Sequence, residues 1–240
     1  MRLVTGCNAP YFQRMTPYLD SLRQYADFPV TFVGVEFIPP DLGDIETISM
    51  TAAQNYGAPP ETECIQHGSF ASVIPGDDDE VLVYTDADFR MQRKIEQDEL
   101  DLLTLKHGEV VTSWNGSPDE TLALEATRLG VRGDLAQWGG DLESLSVYNV
   151  GFLAMTRTTW NELYSAYTRD YERIEATFSH YARQQWLISY HVQRLGMNIK
   201  IAPWSLHAHG HFGLKPGMDQ RGREIYWNGR LAAFRHYLCL

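Results

Sequence analysis

One short segment restricts the fold of this chain more than any other. Residues 80–85 read EVLVYT, an almost unbroken run of apolar and β-branched side chains. A strand that is apolar on both faces is typical of the interior of a parallel sheet, because helices cover both sides of such a sheet. The run leads directly into Asp86 and Asp88. We therefore expect an α/β fold, in which ligands bind beyond the carboxyl ends of the strands.

Strand and helix patterns alternate along most of the sequence. Residues 2–6 and 30–37 are predicted strands, and residues 15–25 between them space apolar side chains three and four apart, as on one helix face. This order favours a parallel pair of strands with a right-handed crossover. Further strands are predicted at residues 109–114, 146–155 and 198–202, and further helices at residues 98–106, 120–129, 156–167 and 180–195. Residues 39–76 are expected to be partly irregular, and residues 218–240 show no readable pattern.

Length and charge narrow the classes of function. The 240 residues fit one globular domain with a full-sized core. The net charge of −11 argues against a general nucleic-acid binder and against adhesion to an anionic bilayer, because the long-range field repels phosphate. We expect no transmembrane segment and no signal peptide, since no long apolar stretch is present. Three well-separated cysteines suit reduced thiols, so we expect a cytoplasmic protein.

Asp86 and Asp88 form the first candidate site. In an extended segment the side chains of residues i and i+2 point to the same side, so both carboxylates can face one cation. Two carboxylates with open positions suit Mg²⁺ or Mn²⁺, which prefer oxygen ligands and bridge substrate phosphates. The alternative is that these carboxylates cap the following helix. A second Asp-x-Asp pattern, at residues 77–79, is interpreted as a solvated turn before the strand.

The second candidate site is a histidine-rich segment, residues 207–217, which reads HAHGHFGLKPG. Its three histidines are spaced by two, so two or three of them can approach a metal ion together in an extended chain. Lys215 lies among glycines that allow the backbone to come close to a ligand, and its ammonium is a natural partner for a diphosphate. A single histidine is more often hydrogen-bonded without a ligand, but for the cluster with Lys215 we favour a binding site.

Several of these segments resemble one enzyme family. Residues 84–88 (YTDAD) are similar to the Asp-x-Asp motif of GT-A glycosyltransferases, which holds Mn²⁺ and a nucleotide diphosphate. Residues 148–155 (YNVGFLAM) and 183–188 (RQQWLI) resemble the Asn-x-Gly and Asp-Gln-Asp segments of the family-8 retaining enzymes, the glycogenin and galactosyltransferase-like group. Residues 211–216 (HFGLKP) resemble that family's closing His-x-x-Gly-x-x-Lys-Pro-Trp motif, and residues 5–11 (TGCNAPY) match the position of its base-binding loop.

The resemblance implies a single GT-A, Rossmann-like domain with a mostly parallel central sheet. Residues 1–110 would form the nucleotide-binding half and residues 111–240 the acceptor-side half. The implied metal ligands for Mn²⁺ or Mg²⁺ are Asp86, Asp88 and a histidine, either His211, which we prefer, or His209. The implied contacts to the donor nucleotide are Thr5, Asn8, Tyr11, Asp86, Gly213 and Lys215, with Tyr11 stacking on uracil. The implied catalytic residues, along the anomeric face of the sugar, are Asn149 and Gln184.

The sequence also departs from the family pattern. Arg183 and Gln185 replace the two acidic residues of the Asp-Gln-Asp segment, and Gly217 stands where the family has Trp. The spacing of the closing motif matches when it is counted from His209 and is shorter when it is counted from His211.

These observations predict a metal-dependent glycosyltransferase that moves a sugar from a nucleoside-diphosphate donor, with retention. The expected partners are a nucleotide sugar, most simply a UDP-sugar, and a glycan, lipid-linked or protein acceptor; nucleic acid is not expected. Two alternatives stay open. One is a catalytically silent nucleotide-sugar-binding module, and the other is a phosphotransferase or phosphatase with Asp86 as its nucleophile.

Overall fold

The structure is a computed structural model that describes residues 1–55, 68–178, 183–209 and 214–236. The strands are β1 (Arg2–Asn8), β2 (Val30–Val35), β3 (Glu46–Met50), β4 (Val81–Thr85), β5 (Phe89–Met91), β6 (Glu109–Trp114), β7 (Tyr148–Thr156), β8 (Asn198–Ile201), β9 (His207–His209), β10 (Met218–Arg221), β11 (Glu224–Trp227), β12 (Arg230–Leu231) and β13 (Phe234–His236). The helices are α1 (Ala9–Phe12), α2 (Thr16–Tyr25), α3 (Gln97–Leu102), α4 (Leu122–Leu129), α5 (Arg157–Thr177) and α6 (Arg183–Arg194).

Seven strands form the central sheet, in the order β3-β2-β1-β4-β7-β6-β8. All neighbouring strands are parallel except at β7, which is antiparallel to both β4 and β6. Both faces of the sheet are covered by large apolar clusters. The expected α/β class with a mostly parallel central sheet is therefore confirmed.

Strand β4 is held in the middle of this sheet by polar contacts as well as by its apolar side chains. All five of its residues are buried. On one side, the indole Nε1 of the buried Trp160 in α5 donates to the carbonyl oxygen of Leu82 at 2.9 Å. Arg157 donates to Glu80, at 2.6 Å, and to backbone carbonyls of the preceding loop. Since Arg2 in β1 also donates to Glu80 at 3.0 Å, one carboxylate ties β1, β4 and α5 together.

Two small sheets, built mainly from residues 207–236, were not predicted. Strands β5, β13 and β9 form one, in that order, with β13 antiparallel to β5 and parallel to β9. Strands β10, β11 and β12 form the other, an antiparallel meander. The first of these, called the closing sheet below, places residues 234–236 beside the segment that follows β4.

The remaining differences from the predicted elements are local. Strand β3 lies inside the segment that was expected to be irregular. Strand β2 ends at Val35, two residues early, because Glu36 adopts a φ of 59° and leaves the extended region. Helix α5 continues ten residues beyond its predicted end. Within the residues described, no helix combines the length and the apolar character that crossing a bilayer requires.

Candidate metal centre

Two carboxylates and one imidazole meet just beyond the carboxyl end of β4. They belong to Asp86, Asp88 and His236, whose candidate ligand atoms all lie within 4.8 Å of one another. The imidazole Nε2 of His236 is 3.1 Å from Oδ1 of Asp88 and 3.7 Å from Oδ2 of Asp86. Two carboxylate oxygens and one imidazole nitrogen form a donor set that suits Mn²⁺. The three residues therefore fit a divalent ion.

Hydrogen bonds and strand pairing hold these groups together. Asp86 receives a hydrogen bond from the Tyr84 hydroxyl at 2.6 Å, and its backbone N–H donates to the carbonyl of Gly151 in β7 at 2.9 Å. His236 is fixed by the pairing of β13 with β5, where it lies opposite Phe89. The carboxylates thus come from the central sheet and the imidazole from the closing sheet.

Gly151 allows β7 to approach this cluster closely. A Cβ atom at this position would lie 2.5 Å from Cε1 of His236 and 2.6 Å from Oδ2 of Asp86. Both distances are shorter than van der Waals contact, so any side chain would displace the ligands. A glycine is required here for space.

The two carboxylates also set the electrostatics of His236. Burial by itself lowers the pKa of His236, but the negative charges of Asp88 and Asp86 outweigh it and raise that pKa above its ordinary value. The carboxylates therefore favour the charged form of this imidazole.

Aromatic rings, called the ring column below, pack against the imidazole of His236. Its imidazole lies 4.3 Å from the Phe89 ring, and the imidazole of His207 is stacked between Phe89 and Phe152, at 5.0 Å and 5.2 Å. His207 is fully buried and its Nδ1 is hydrogen-bonded to the Ser113 hydroxyl at 2.8 Å. Burial, together with its histidine neighbours, lowers the pKa of His207 well below its ordinary value. His207 is therefore a neutral packing group.

Of the two histidines predicted as metal ligands, the structure describes His209. His209 is fully buried in β9, and its Nε2 is 2.8 Å from the carbonyl oxygen of Trp114. Since a carbonyl only accepts, Nε2 carries the proton, which leaves Nδ1 as the nitrogen able to coordinate. His211 and Gly213 lie outside the described residues, so their predicted roles stay predictions.

The predicted nucleotide contacts begin at the carboxyl end of β1. Asn8 caps helix α1, its side-chain oxygen accepting from the backbone N–H of Tyr11 at 3.1 Å. Tyr11 and Asp88 line the same cavity of about 620 Å³, a size typical of small-molecule sites. Thr5 is wholly buried in β1, and Lys215 is half-buried before β10 and does not line this cavity.

The two predicted catalytic amides lie on separate elements. Asn149 is buried in β7, where its Oδ1 accepts from the N–H of Gly151 at 3.1 Å, so it is positioned next to the cluster. Gln184 is half-buried in the first turn of α6.

His236 is the residue that sequence reasoning missed. It comes two residues after a short apolar run, residues 231–234, within a segment that appeared to have no pattern. The sequence signal for this residue was weak: a short apolar run followed by a histidine is the pattern of a buried strand with a ligand at its end. Only the pairing of β13 with β5 places it beside the two carboxylates.

Comparisons with known proteins locate the fold. No protein-family model and no curated protein sequence matches the chain. A solved structure of the galactosyltransferase LgtC, in complex with donor and acceptor sugar analogs, is similar with a TM-score of 0.60 and 14% identity, over 99% of this chain and 87% of that chain. A structure of an active-site mutant of LgtC is similar with a TM-score of 0.63 and 12% identity, over 100% of this chain and 88% of that chain. At such identities the likeness establishes the fold alone, and it confirms the resemblance to GT-A glycosyltransferases.

Proposed function

With a GT-A fold as its frame, we propose that this protein is a metal-dependent glycosyltransferase that takes a sugar from a nucleoside diphosphate. One observation carries the proposal. Asp86, Asp88 and His236 converge at the carboxyl end of β4, the position in an open α/β sheet where ligands bind. The similar LgtC structure is a complex with donor and acceptor sugar analogs, which supports a donor sugar and an acceptor for this chain as well.

The metal ion, Mn²⁺ or Mg²⁺, would be held by Asp86, Asp88 and His236. When bound, it supplies positive charge next to the leaving diphosphate. His209 and His211 remain the alternative imidazole ligands predicted from the sequence. His236 is preferred here because its Nε2 faces both carboxylates, whereas His209 does not belong to the cluster of candidate ligand atoms that lie within 4.8 Å of one another.

The donor nucleotide would lie along the carboxyl ends of β1 and β4. Tyr11 offers an aromatic face for uracil, and its cavity reaches Asp88. Asn8 and Thr5 would hold the base from β1, and Gly213 and Lys215 would contact the diphosphate from the acceptor-side half of the chain. A UDP-sugar is the donor that these residues suit best.

The sugar would be held between two amides, Asn149 and Gln184. Both are uncharged at neutral pH, so neither is a good nucleophile. We infer retention by attack from the leaving-group side, with a diphosphate oxygen accepting the proton of the acceptor hydroxyl. Asn149 would orient the sugar rigidly, because its own side-chain oxygen is fixed by Gly151.

The experiment that tests this proposal measures UDP and GDP release from a panel of nucleotide sugars. Each donor is tested with Mn²⁺, with Mg²⁺ and after metal removal, first alone and then with glycan, lipid-linked and protein acceptors. We expect slow release from one UDP-sugar that depends on the metal ion and accelerates with the right acceptor.

Other outcomes would decide between the alternatives. Metal-dependent UDP binding without release from any donor would support the catalytically silent module. Phosphate release from simple phosphate esters, without preference for a sugar, would support a phosphatase with Asp86 as its nucleophile. Absence of nucleotide binding would contradict the assignment of the site.

A further inference from the structure

A group of arginines surrounds the cavity next to the metal centre. Arg14, Arg90, Arg223 and Arg235 all line the cavity of about 620 Å³; they are called the arginine cluster below. Of the described residues that line this cavity, Asp88 alone carries a carboxylate. The cavity wall is therefore strongly positive in a chain whose net charge is −11.

Two of these arginines are placed side by side by strand pairing. Arg90 in β5 lies directly opposite Arg235 in β13 in an antiparallel pair. Like charges directly opposite each other destabilise a sheet, because their Cβ atoms are only about 5 Å apart. An anion bound between the two guanidinium groups would attract both of them and offset their mutual repulsion.

The arginine pair faces away from the metal ligand. Phe89, Met91, Phe234 and His236 are buried on one face of the β5–β13 pair. Because side chains alternate along a strand, Arg90 and Arg235 project from the other face, and both are half-buried there. The cluster is therefore separated from the His236 imidazole by the thickness of the strand pair, although Asp88 borders both.

One arginine of the cluster is anchored, and another has hydrogen-bond donors that no described residue uses. The Arg235 guanidinium donates to the carbonyl oxygen of Arg223, which ties β13 to the turn between β10 and β11. The side chain of Arg90 makes no hydrogen bond or ion pair with any of the residues described, in contrast to Arg93 on the same segment, which binds Glu99 at 2.6 Å. A half-buried guanidinium with unused donors is suited to a ligand that supplies oxygens.

We propose that the arginine cluster is a phosphate-binding site in its own right, which holds a phosphate-bearing substrate without the metal ion. The planar, five-donor fork of arginine matches phosphate oxygens in a bidentate manner, so arginine is preferred to lysine for this purpose. The phosphates belong to the donor nucleotide or to the acceptor. The inference rests on the proposed function only for the identity of these two sources.

The test is pyrophosphate binding measured by titration calorimetry in the absence of metal. Protein and buffer are passed over a chelating resin, because a dissolved chelator is itself a polyanion. The variant Arg90→Gln/Arg235→Gln is compared with Arg23→Gln/Arg169→Gln, which removes the same charge from exposed arginines that do not line the cavity.

We expect the wild-type protein to bind pyrophosphate and the Arg90/Arg235 variant to bind it at least about tenfold more weakly, as loss of charge-assisted hydrogen bonds implies. The control variant should stay within about twofold of wild type at 0.15 M salt, because distant surface charges are screened. No binding by the wild-type protein, or an equal loss in both variants, would overturn the proposal.

A further double variant keeps the proposal testable if the glutamine variant does not fold. Arg90→Lys/Arg235→Lys retains both charges but loses the fork geometry. With a native circular dichroism spectrum and melting temperature, it should bind pyrophosphate at least about threefold more weakly than wild type. Unchanged affinity in this folded variant would overturn the proposal.

Two further measurements identify the source and separate this inference from the proposed function. Asp88→Asn should bind pyrophosphate at least as tightly as wild type without metal; loss of binding would show that the site depends on the metal centre and overturn the proposal. Competition between pyrophosphate and UDP–Mn²⁺ would assign the cluster to donor phosphates, and simultaneous binding would assign it to the acceptor. Phosphate binding without any sugar transfer would contradict the proposed function alone.

Discussion

The central sheet and the closing sheet contribute to one site but are built by different means. In the central sheet, β4 is an uninterrupted apolar segment between helices, and its neighbours follow from the strand–helix alternation of the sequence. In the closing sheet, the three-residue strands β5 and β13 come from distant parts of the sequence. The carboxylates are thus set by a strong local pattern and the imidazole by long-range pairing.

The two regions also differ in what stabilises them. The central sheet buries large apolar clusters on both faces. The closing sheet adds Phe89, Met91 and Phe234 to one of these clusters, on one of its faces. Polar bridges tie it to the neighbouring meander: the buried side chain of Gln92 donates to the carbonyl of Ala232 at 3.0 Å and accepts from the N–H of Ile225 at 3.1 Å. The half of the site supplied by the closing sheet therefore rests on short strands that pack on a single apolar cluster, whereas the central sheet packs on two.

The largest effect is expected from the carboxylate side. Asp88→Asn removes one ligand charge, so metal-dependent binding of UDP and release of UDP from a donor should both fall at least about a hundredfold. Calorimetry with Mn²⁺ and a UDP-release assay measure the two quantities. Asp79→Asn, at an exposed position before the same strand, is the matched control and should leave both unchanged. Retained activity in Asp88→Asn would contradict the site.

The next effect tests the imidazole from the closing sheet. His236→Ala should weaken Mn²⁺ binding about 10- to 100-fold, whereas His209→Ala should change it only slightly, because His209 does not belong to the cluster of candidate ligand atoms. Mn²⁺ titration followed by electron paramagnetic resonance measures the affinity. A larger loss in His209→Ala than in His236→Ala would support the ligand set predicted from the sequence. It would contradict the view that the closing sheet supplies the imidazole through His236.

A smaller effect is expected where the two regions touch. Gly151→Ala introduces a Cβ that collides with His236 and Asp86, and such overpacking costs about 1–3 kcal/mol. Mn²⁺ affinity should fall together with the free energy of unfolding, measured by urea denaturation. An unchanged Mn²⁺ affinity would mean that the cluster adapts, and that the closing sheet is less tightly coupled to β7 than its geometry indicates.

The smallest effect lies in the central sheet, far from the metal ligands. Burial raises the pKa of Glu80, but hydrogen bonds and charges from Arg2 and Arg157 outweigh it and lower the pKa below 4.5. The stabilisation is therefore fully present above the unfolded-state pKa and is lost as the pH falls through the lower folded-state pKa.

Replacing Glu80 with Gln should reduce the free energy of unfolding at pH 7, with the difference from wild type shrinking below about pH 4.5. Urea denaturation between pH 3 and pH 7 measures it. Mn²⁺ affinity at pH 7 should not change. A difference that grows towards acid pH would contradict the assignment of Glu80 as a charged partner of Arg157.

The sequence predicted the parts of the fold that local patterns encode. The apolar run before Asp86 and the helical spacing of residues 15–25 predicted the α/β sheet, and the same run pointed to the two carboxylates of the candidate site. Strand β3 was missed because it has only one buried residue, Met50, so no apolar alternation marks it. The antiparallel direction of β7 was not predicted either, since side-chain periodicity is the same in both directions.

The imidazole half of the candidate site could not be predicted from the sequence, for a physical reason. His236 becomes a candidate ligand only when residues 234–236 pair with residues 89–91, and three-residue strands carry too little pattern to predict such pairing. The sequence predicted the imidazole ligand in the histidine-rich segment instead, because three closely spaced histidines are a stronger local signal. Two of them, His207 and His209, are buried and serve packing and hydrogen bonding.

The ring column beneath His236 gives the protein a built-in spectroscopic reporter. The imidazole lies 4.3 Å from the Phe89 ring, so the ring current of that phenyl group shifts the nuclear magnetic resonances of the His236 ring protons away from those of the exposed His107. If His236 is a ligand, diamagnetic Mg²⁺ should shift this signal, and paramagnetic Mn²⁺ should broaden it strongly, since such broadening falls off steeply with distance. The proposed role of His236 can thus be tested by these two ions without a substrate and before any turnover.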